Sequence, residues 1–155
     1  MNHFHKTVFA LLAIAMTYSV ANAQEKKLTR KQLPAAVEKT VAKESEGATI
    51  KGFATEIEKG QRLYEAELIV NGHHKDISMN RRGEIVEVEE EVSMDSLPAT
   101  VQDGLKRAAG SGTIGMIESL TKNGTLVAYE GHVKHGLKRS EIQAGPQGEK
   151  LKRPE

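Results

Sequence analysis

The sequence predicts an α+β fold: two tandem helix-plus-four-strand units whose strands form an antiparallel sheet, with the helices packed on one face. Three observations carry this. The pentad "LPAAV" at 33–37 returns as "LPATV" at 97–101, 64 positions later. After each pentad, apolar residues recur every four places, the stripe of an amphipathic helix. Beyond each helix, period-two alternation is broken by glycine turns such as Asn71-Gly72, the pattern of hairpin-linked strands.

The chain opens with Lys6, an unbroken apolar run from Val8 to Met16, and the small-residue end Ala21-Asn22-Ala23. That is the layout of a secretory signal peptide cleaved after Ala23. Nine apolar residues fall well short of the ~20 a spanning helix needs, so no membrane span remains after processing. The expected location is the periplasm or the exterior. Residues 24–32 read as an N-terminal linker, 33–92 as unit 1 and 93–155 as unit 2.

In unit 1, Leu33, Val37 and Val41 face the core, Pro34 sits in the first helical turn, and Gly47 stops the helix. Strands are expected over 48–58, 62–70, 74–79 and 84–92. In 62–70, Tyr64, Ala66, Leu68 and Val70 alternate with Glu65 and Glu67, which predicts one buried face and one wet one. Unit 2 repeats the design. Leu97, Val101, Leu105 and Ala108 share a helix face, Ser96 is the N-cap, and strands follow over 112–121, 125–133, 137–144 and 149–154. The last of these ends in Pro154 and is expected to be short, frayed or an edge.

Composition excludes several functions. The full chain has 22 basic and 21 acidic residues, and residues 1–23 contain only Lys6, so the processed chain carries 21 of each. Formal neutrality argues against a nucleic-acid partner, which calls for a basic face. With no cysteine, neither thiol chemistry nor a thiolate metal site is available.

No catalytic signature is present. "GSGTIG" at 110–115 precedes a strand rather than a helix, and carboxylates are scattered over presumed solvent faces. No catalytic residue, cofactor site or metal ligand is therefore assigned, and the chain is expected not to be an enzyme. The acidic run 87–95 reads as a solvated strand and linker rather than a calcium loop. His73, His74, His132 and His135 offer the alternative function, a small-ligand or metal scavenger built on histidine-bearing turns. Leu63, Ile69 and Leu126 stand out of phase with the buried residues of their strands. They are candidate partner-binding residues if one sheet face lacks helices, or buried ones if a twist or bulge turns them inward.

Leu33-Pro34, Tyr64-Glu65-x-Glu67, the following hairpin and Gly83 before a Val/Glu strand resemble the PepSY domain. Leu97-Pro98, Tyr129-Glu130 and Gly148 echo them, so the chain looks like the tandem PepSY-like, beta-lactamase-inhibitor-like group of exported proteins. The resemblance implies a binding module, an inhibitor or folding assistant of a secreted peptidase or other envelope enzyme carried on a separate chain. The beta-lactamase inhibitor itself relies on disulfides, which this chain cannot make, so lactamase inhibition is not carried over.

Expressed with its leader in an exporting host, the protein is expected to have the intact mass of residues 24–155; a mass that retains residues 1–23 overturns the signal-peptide reading.

Overall fold

The computed structural model describes residues 25–155; residues 1–23, read from sequence as a signal peptide, lie outside the described residues. Among the described residues, eight strands form one antiparallel sheet in sequence order, β1 to β8. They are β1 (Lys26–Leu28), β2 (Thr49–Glu58), β3 (Gln61–Val70), β4 (His73–Met79), β5 (Ile85–Glu91), β6 (Thr113–Lys122), β7 (Thr125–His135) and β8 (Lys138–Ala144). Two helices, α1 (Ala35–Glu44) and α2 (Ala99–Ala109), complete it, each preceded by a short 3-10 turn at Arg30–Gln32 and Met94–Ser96.

This sheet-dominated architecture replaces the expected α+β pair of helix-plus-four-strand units. The repeat in the sequence is real, but it divides differently. Lys26 pairs with Thr55 and Lys27 with Ala54 in β1–β2, just as Glu90 pairs with Ser119 and Glu91 with Glu118 in β5–β6, each 64 residues on. Strand β5 is thus the last strand beside β4 and also the counterpart of β1 for the second half. At the other end, residues 149–154 form no strand. Proline and the cations Lys150, Lys152 and Arg153 leave that segment one partly buried apolar residue, Leu151, with which to hold a pairing.

Both helices cover the same sheet face. Val37 and Val41 of α1 pack with Phe53, Tyr64, Ala66, Leu68, Ile77 and Met79. Val101 and Leu105 of α2, with Leu97, pack on Ile117 and Ala144 beside Tyr129 and Ile142. The buried stripe of α2 is Val101, Leu105 and Ala109, each four apart, and Ala108 is exposed. Pro34 and Pro98 sit one place earlier than expected, as N-caps rather than in the first turn. A proline disfavours helical geometry in the residue before it, so Leu33 and Leu97 are extended and end the 3-10 turns. Ser96 accordingly belongs to the turn, its hydroxyl donating to the Ser93 carbonyl at 2.7 Å.

Each helix is clasped by a glycine turn. Gly83 has φ +76° and Gly148 φ +81°, and a Cβ on either would collide with the helix backbone, at the Ala36 and Thr100 carbonyls respectively. In the first clasp the Thr40 hydroxyl donates to the Gly83 carbonyl at 2.7 Å. The equivalent residue in the second is Gly104, 64 positions on; there the Gly148 carbonyl lies where a Cβ would sit, and Arg107 donates to it instead at 3.1 Å.

Gly104→Ala should therefore destabilise the protein although alanine is the better helix former by about 1 kcal/mol. Forcing a methyl into a filled contact costs about 1–3 kcal/mol and more where backbone must move, so a net loss of about 1–2 kcal/mol is expected in urea unfolding. A gain in stability would show that the turn does not press on α2.

Candidate functional site

The sheet face turned away from the helices is covered by no described element. The alternation that buries Tyr64, Ala66 and Leu68 sends Glu65 and Glu67 to it, and the pairings carry the same phase across the sheet. It presents Glu56 and Glu58 from β2, Asp76 from β4, Glu87, Glu89 and Glu91 from β5, Glu118 from β6, Glu130 from β7 and Glu141 from β8. Glu67 lies beside Asp76, Asp76 beside Glu89, Glu91 beside Glu118, and Glu118 beside Glu130. Like charges directly opposite one another destabilise a sheet, so this arrangement works against the fold.

Beneath the carboxylates lies a small apolar floor. Ala54, Leu63, Leu120 and Ala128 share the open-face phase and are buried, yet belong to neither cluster under the helices. Glu56, Glu65, Asp76, Ser78, Glu87 and Glu89 line a cleft of about 90 Å³ above it. Loss of water there, with Asp76 as the nearest like charge, raises Glu65 to about 7. Burial, then Glu118 and Glu67, raises Asp76 to about 6. Burial, then Glu87, Glu118 and Glu130, raises Glu89 to about 8. Glu56 and Glu130 are raised for the same first reason.

Two triads share Glu118, which is only 4% exposed. Ligand-type atoms of Asp76, Glu89 and Glu118 lie within 4.8 Å of one another, and so do those of Glu118, Glu130 and His132. His132 Nε2 stands 2.9 Å from Glu118 Oε2 and its Nδ1 3.9 Å from Glu141, while Gln143 donates to Glu130 at 2.8 Å. Lys122 answers part of the charge, 3.1 Å from Glu87 and 3.9 Å from Glu58. These contacts suit a cation or a basic side chain.

The residues nominated from sequence fall in different places. Leu63 is on the open face but 4% exposed, at the rim of a shallow cleft with Val86, Glu87 and Lys122. Ile69 shares that phase, is half-buried, and pairs with His74. Leu126 does not join them. A bulge between Leu120 and Thr121 sets it opposite Thr121, on the helix-side phase of Val88.

The histidine turns do not converge either. His73 and His74 open β4 and His135 closes β7; three strand spacings, about 14 Å, separate those strands. His132, inside β7, brings its ring to Glu118, whereas His74 meets Glu91 through its backbone N–H at 2.9 Å. The acidic face escaped the sequence reading because that reading treated each glutamate as solvated on its own strand. The signal was the recurrence of acids at one phase in "YEAE", "EVEEE" and "YEGH".

No protein-family model matches the chain, and no curated protein matches it in sequence. Solved structures do. A BLIP-like protein from Bacteroides fragilis is 22% identical with TM-score 0.54, over 75% of this chain and 81% of that one. A DUF2874 family protein from Bacteroides ovatus is 23% identical with TM-score 0.59, over 77% and 85%. A candidate periplasmic protein from Bacteroides eggerthii is 19% identical with TM-score 0.62, over 77% and 86%. The likeness is one of fold alone, and no family match supports the PepSY resemblance. Among the described residues no helix is long and apolar enough to cross a membrane.

The raised carboxylates fix a pH dependence. Because their folded pKa values exceed the unfolded ones, the native state holds more protons than the unfolded chain between pH about 4.5 and about 8. Their contribution to stability is therefore greatest below that window and falls as pH rises through it. The melting temperature is expected to be several degrees higher at pH 5.5 than at pH 8, and Glu89→Gln should remove part of the difference by stabilising the protein at pH 8 by of order 1 kcal/mol. A melting temperature that rises steadily from pH 5.5 to pH 8 would contradict the assignment.

Proposed function

We propose that this chain is an exported, non-catalytic binding module of the periplasm or exterior, whose open acidic sheet face docks on a basic surface of a protein partner. The observation that carries this is the uncovered band of carboxylates running from β2 to β8 over an apolar floor. Free, these groups repel one another and lack water; a lysine- or arginine-rich surface relieves both penalties, so the same strain that weakens the fold strengthens the complex. Ile69 adds half-buried apolar area at the border of the face, while Leu63 supports it from below. The partner fits the role of a secreted peptidase or another envelope enzyme, held inhibited or assisted in folding. The cleft among the carboxylates, about 90 Å³, is smaller than the ~300 Å³ at which small-molecule sites begin, which favours a protein surface as the occupant of this face.

A second reading is cation sequestration, favoured by the convergence of Glu118, Glu130 and His132. It moves the metal alternative from the histidine turns to the sheet face, with a nitrogen and two carboxylate ligands suited to a divalent ion.

Affinity capture with residues 24–155 from envelope and secreted fractions tests the first reading. It is expected to enrich a basic-surfaced partner, a peptidase whose activity falls as bait is added being the sharpest case, with recovery lost at high salt. The double variant Glu65→Lys/Glu89→Lys, checked for folding by its melting curve, should release it. Capture indifferent to that charge reversal would sink the proposal. Titration calorimetry with calcium and zinc, showing one stoichiometric site lost in Glu118→Gln, would favour the second reading.

A further inference from the structure

The repeat leaves one position in the sheet empty. In the first half the outer side of β4 is filled by β5, with Lys75 opposite Glu90, Ile77 opposite Val88 and Ser78 opposite Glu87. Strand β8 is the counterpart of β4, 65 residues on: Tyr129 pairs with Ala144 as Tyr64 pairs with Met79, and Glu130 with Gln143 as Glu65 with Ser78. Yet β8 ends the sheet. The chain after it begins as the first half does, with the Gly145 N–H donating to the Glu149 carbonyl at 2.8 Å as Asn80 donates to Glu84 at 3.0 Å. It then departs. Residues 150–155 pair with nothing as a strand, and the Glu155 N–H reaches only the Gln143 side chain, at 2.9 Å. An edge of seven residues with free main-chain groups is a template for another strand.

The surroundings say what chemistry that strand must have. Between α2, β8 and the C-terminal residues lies a cleft of about 540 Å³, lined by Arg107, Lys150, Lys152 and Arg153 against the single acid Glu149, with Ile142 and Leu151 as apolar lining. The other end of the edge carries Lys138 and Arg139, both exposed. Although the described residues carry 21 basic and 21 acidic side chains, this corner is basic, opposite in sign to the open face.

We propose that the β8 edge takes an extended segment of a partner by strand addition, and that the segment alternates acidic with β-branched residues. Main-chain pairing along β8 supplies the affinity, the apolar side chains continue the layer under α2, and the acids meet the cations at both ends. The chain's own "EIVEVEEEV" at 84–92, which fills the equivalent place beside β4, is a ready probe of that chemistry.

A capped synthetic peptide of that sequence is titrated into residues 24–155 and followed by amide NMR and hydrogen exchange. Saturable shifts and slowed exchange confined to 139–143 are expected. Lys152→Glu/Arg153→Glu, two exposed positions that leave the melting curve unchanged, should weaken the peptide at least tenfold. No saturable binding up to millimolar peptide, equal binding by a scrambled peptide, perturbation away from β8, or indifference to the charge reversal would each overturn the proposal.

Discussion

The fold depends on β5 being hydrogen-bonded on both sides. It closes the first half by pairing with β4 and starts the second by pairing with β6, in the same register by which β1 starts the first. Because one strand serves both halves, there is no seam at which two units could separate. Its phase is handed on intact: Val88, opposite Ile77 and Thr121, keeps the helix side of both halves on one face. Glu89, between Asp76 and Leu120, keeps the opposite side continuous too.

That continuity creates the acidic face. A glutamate alternating with a valine is unremarkable on one strand, since each carboxylate can be hydrated. Seven strands in register place such carboxylates about 5 Å apart over buried Leu63 and Leu120, and neither water nor lysine reaches all of them. Lys122 neutralises one margin and the His132 ring hydrogen-bonds Glu118 at the other, while Glu65, Asp76 and Glu89 keep their protons to pH values well above those of free carboxylates. Such concentrated like charge costs the folded state stability that a solvated arrangement of the same residues would keep.

Local signals were legible where one residue pattern had one physical solution. The four-residue spacing of Val37 and Val41 could only be a helix stripe, and Asn71-Gly72 could only be a tight hairpin, as its φ values of 53° and 89° show. Misreadings came where the outcome depended on a distant neighbour. Ala108 and Ala109 differ by one step on the helix, and the glycine clasp with β8 and its following turn decides which is buried. Strand β1 has only three residues and no alternation to see; it exists because β2 offers an edge. For Leu126 the sequence left two placements open, and the bulge that selects the helix side leaves no mark in composition.

The sequence by itself determined most of the elements: an internal repeat 64 residues long, two amphipathic helices, the hairpin turns, and the polar or apolar phase of regular strands such as β3 and β5. These follow from periodicity and backbone preferences within a few residues of chain. Only the tertiary structure decided that the repeats share a strand in one sheet, that residues 149–154 leave β8 unpaired, and that carboxylates from seven strands meet on one face. Those outcomes rest on register between strands, and register is a relation between segments far apart in the chain.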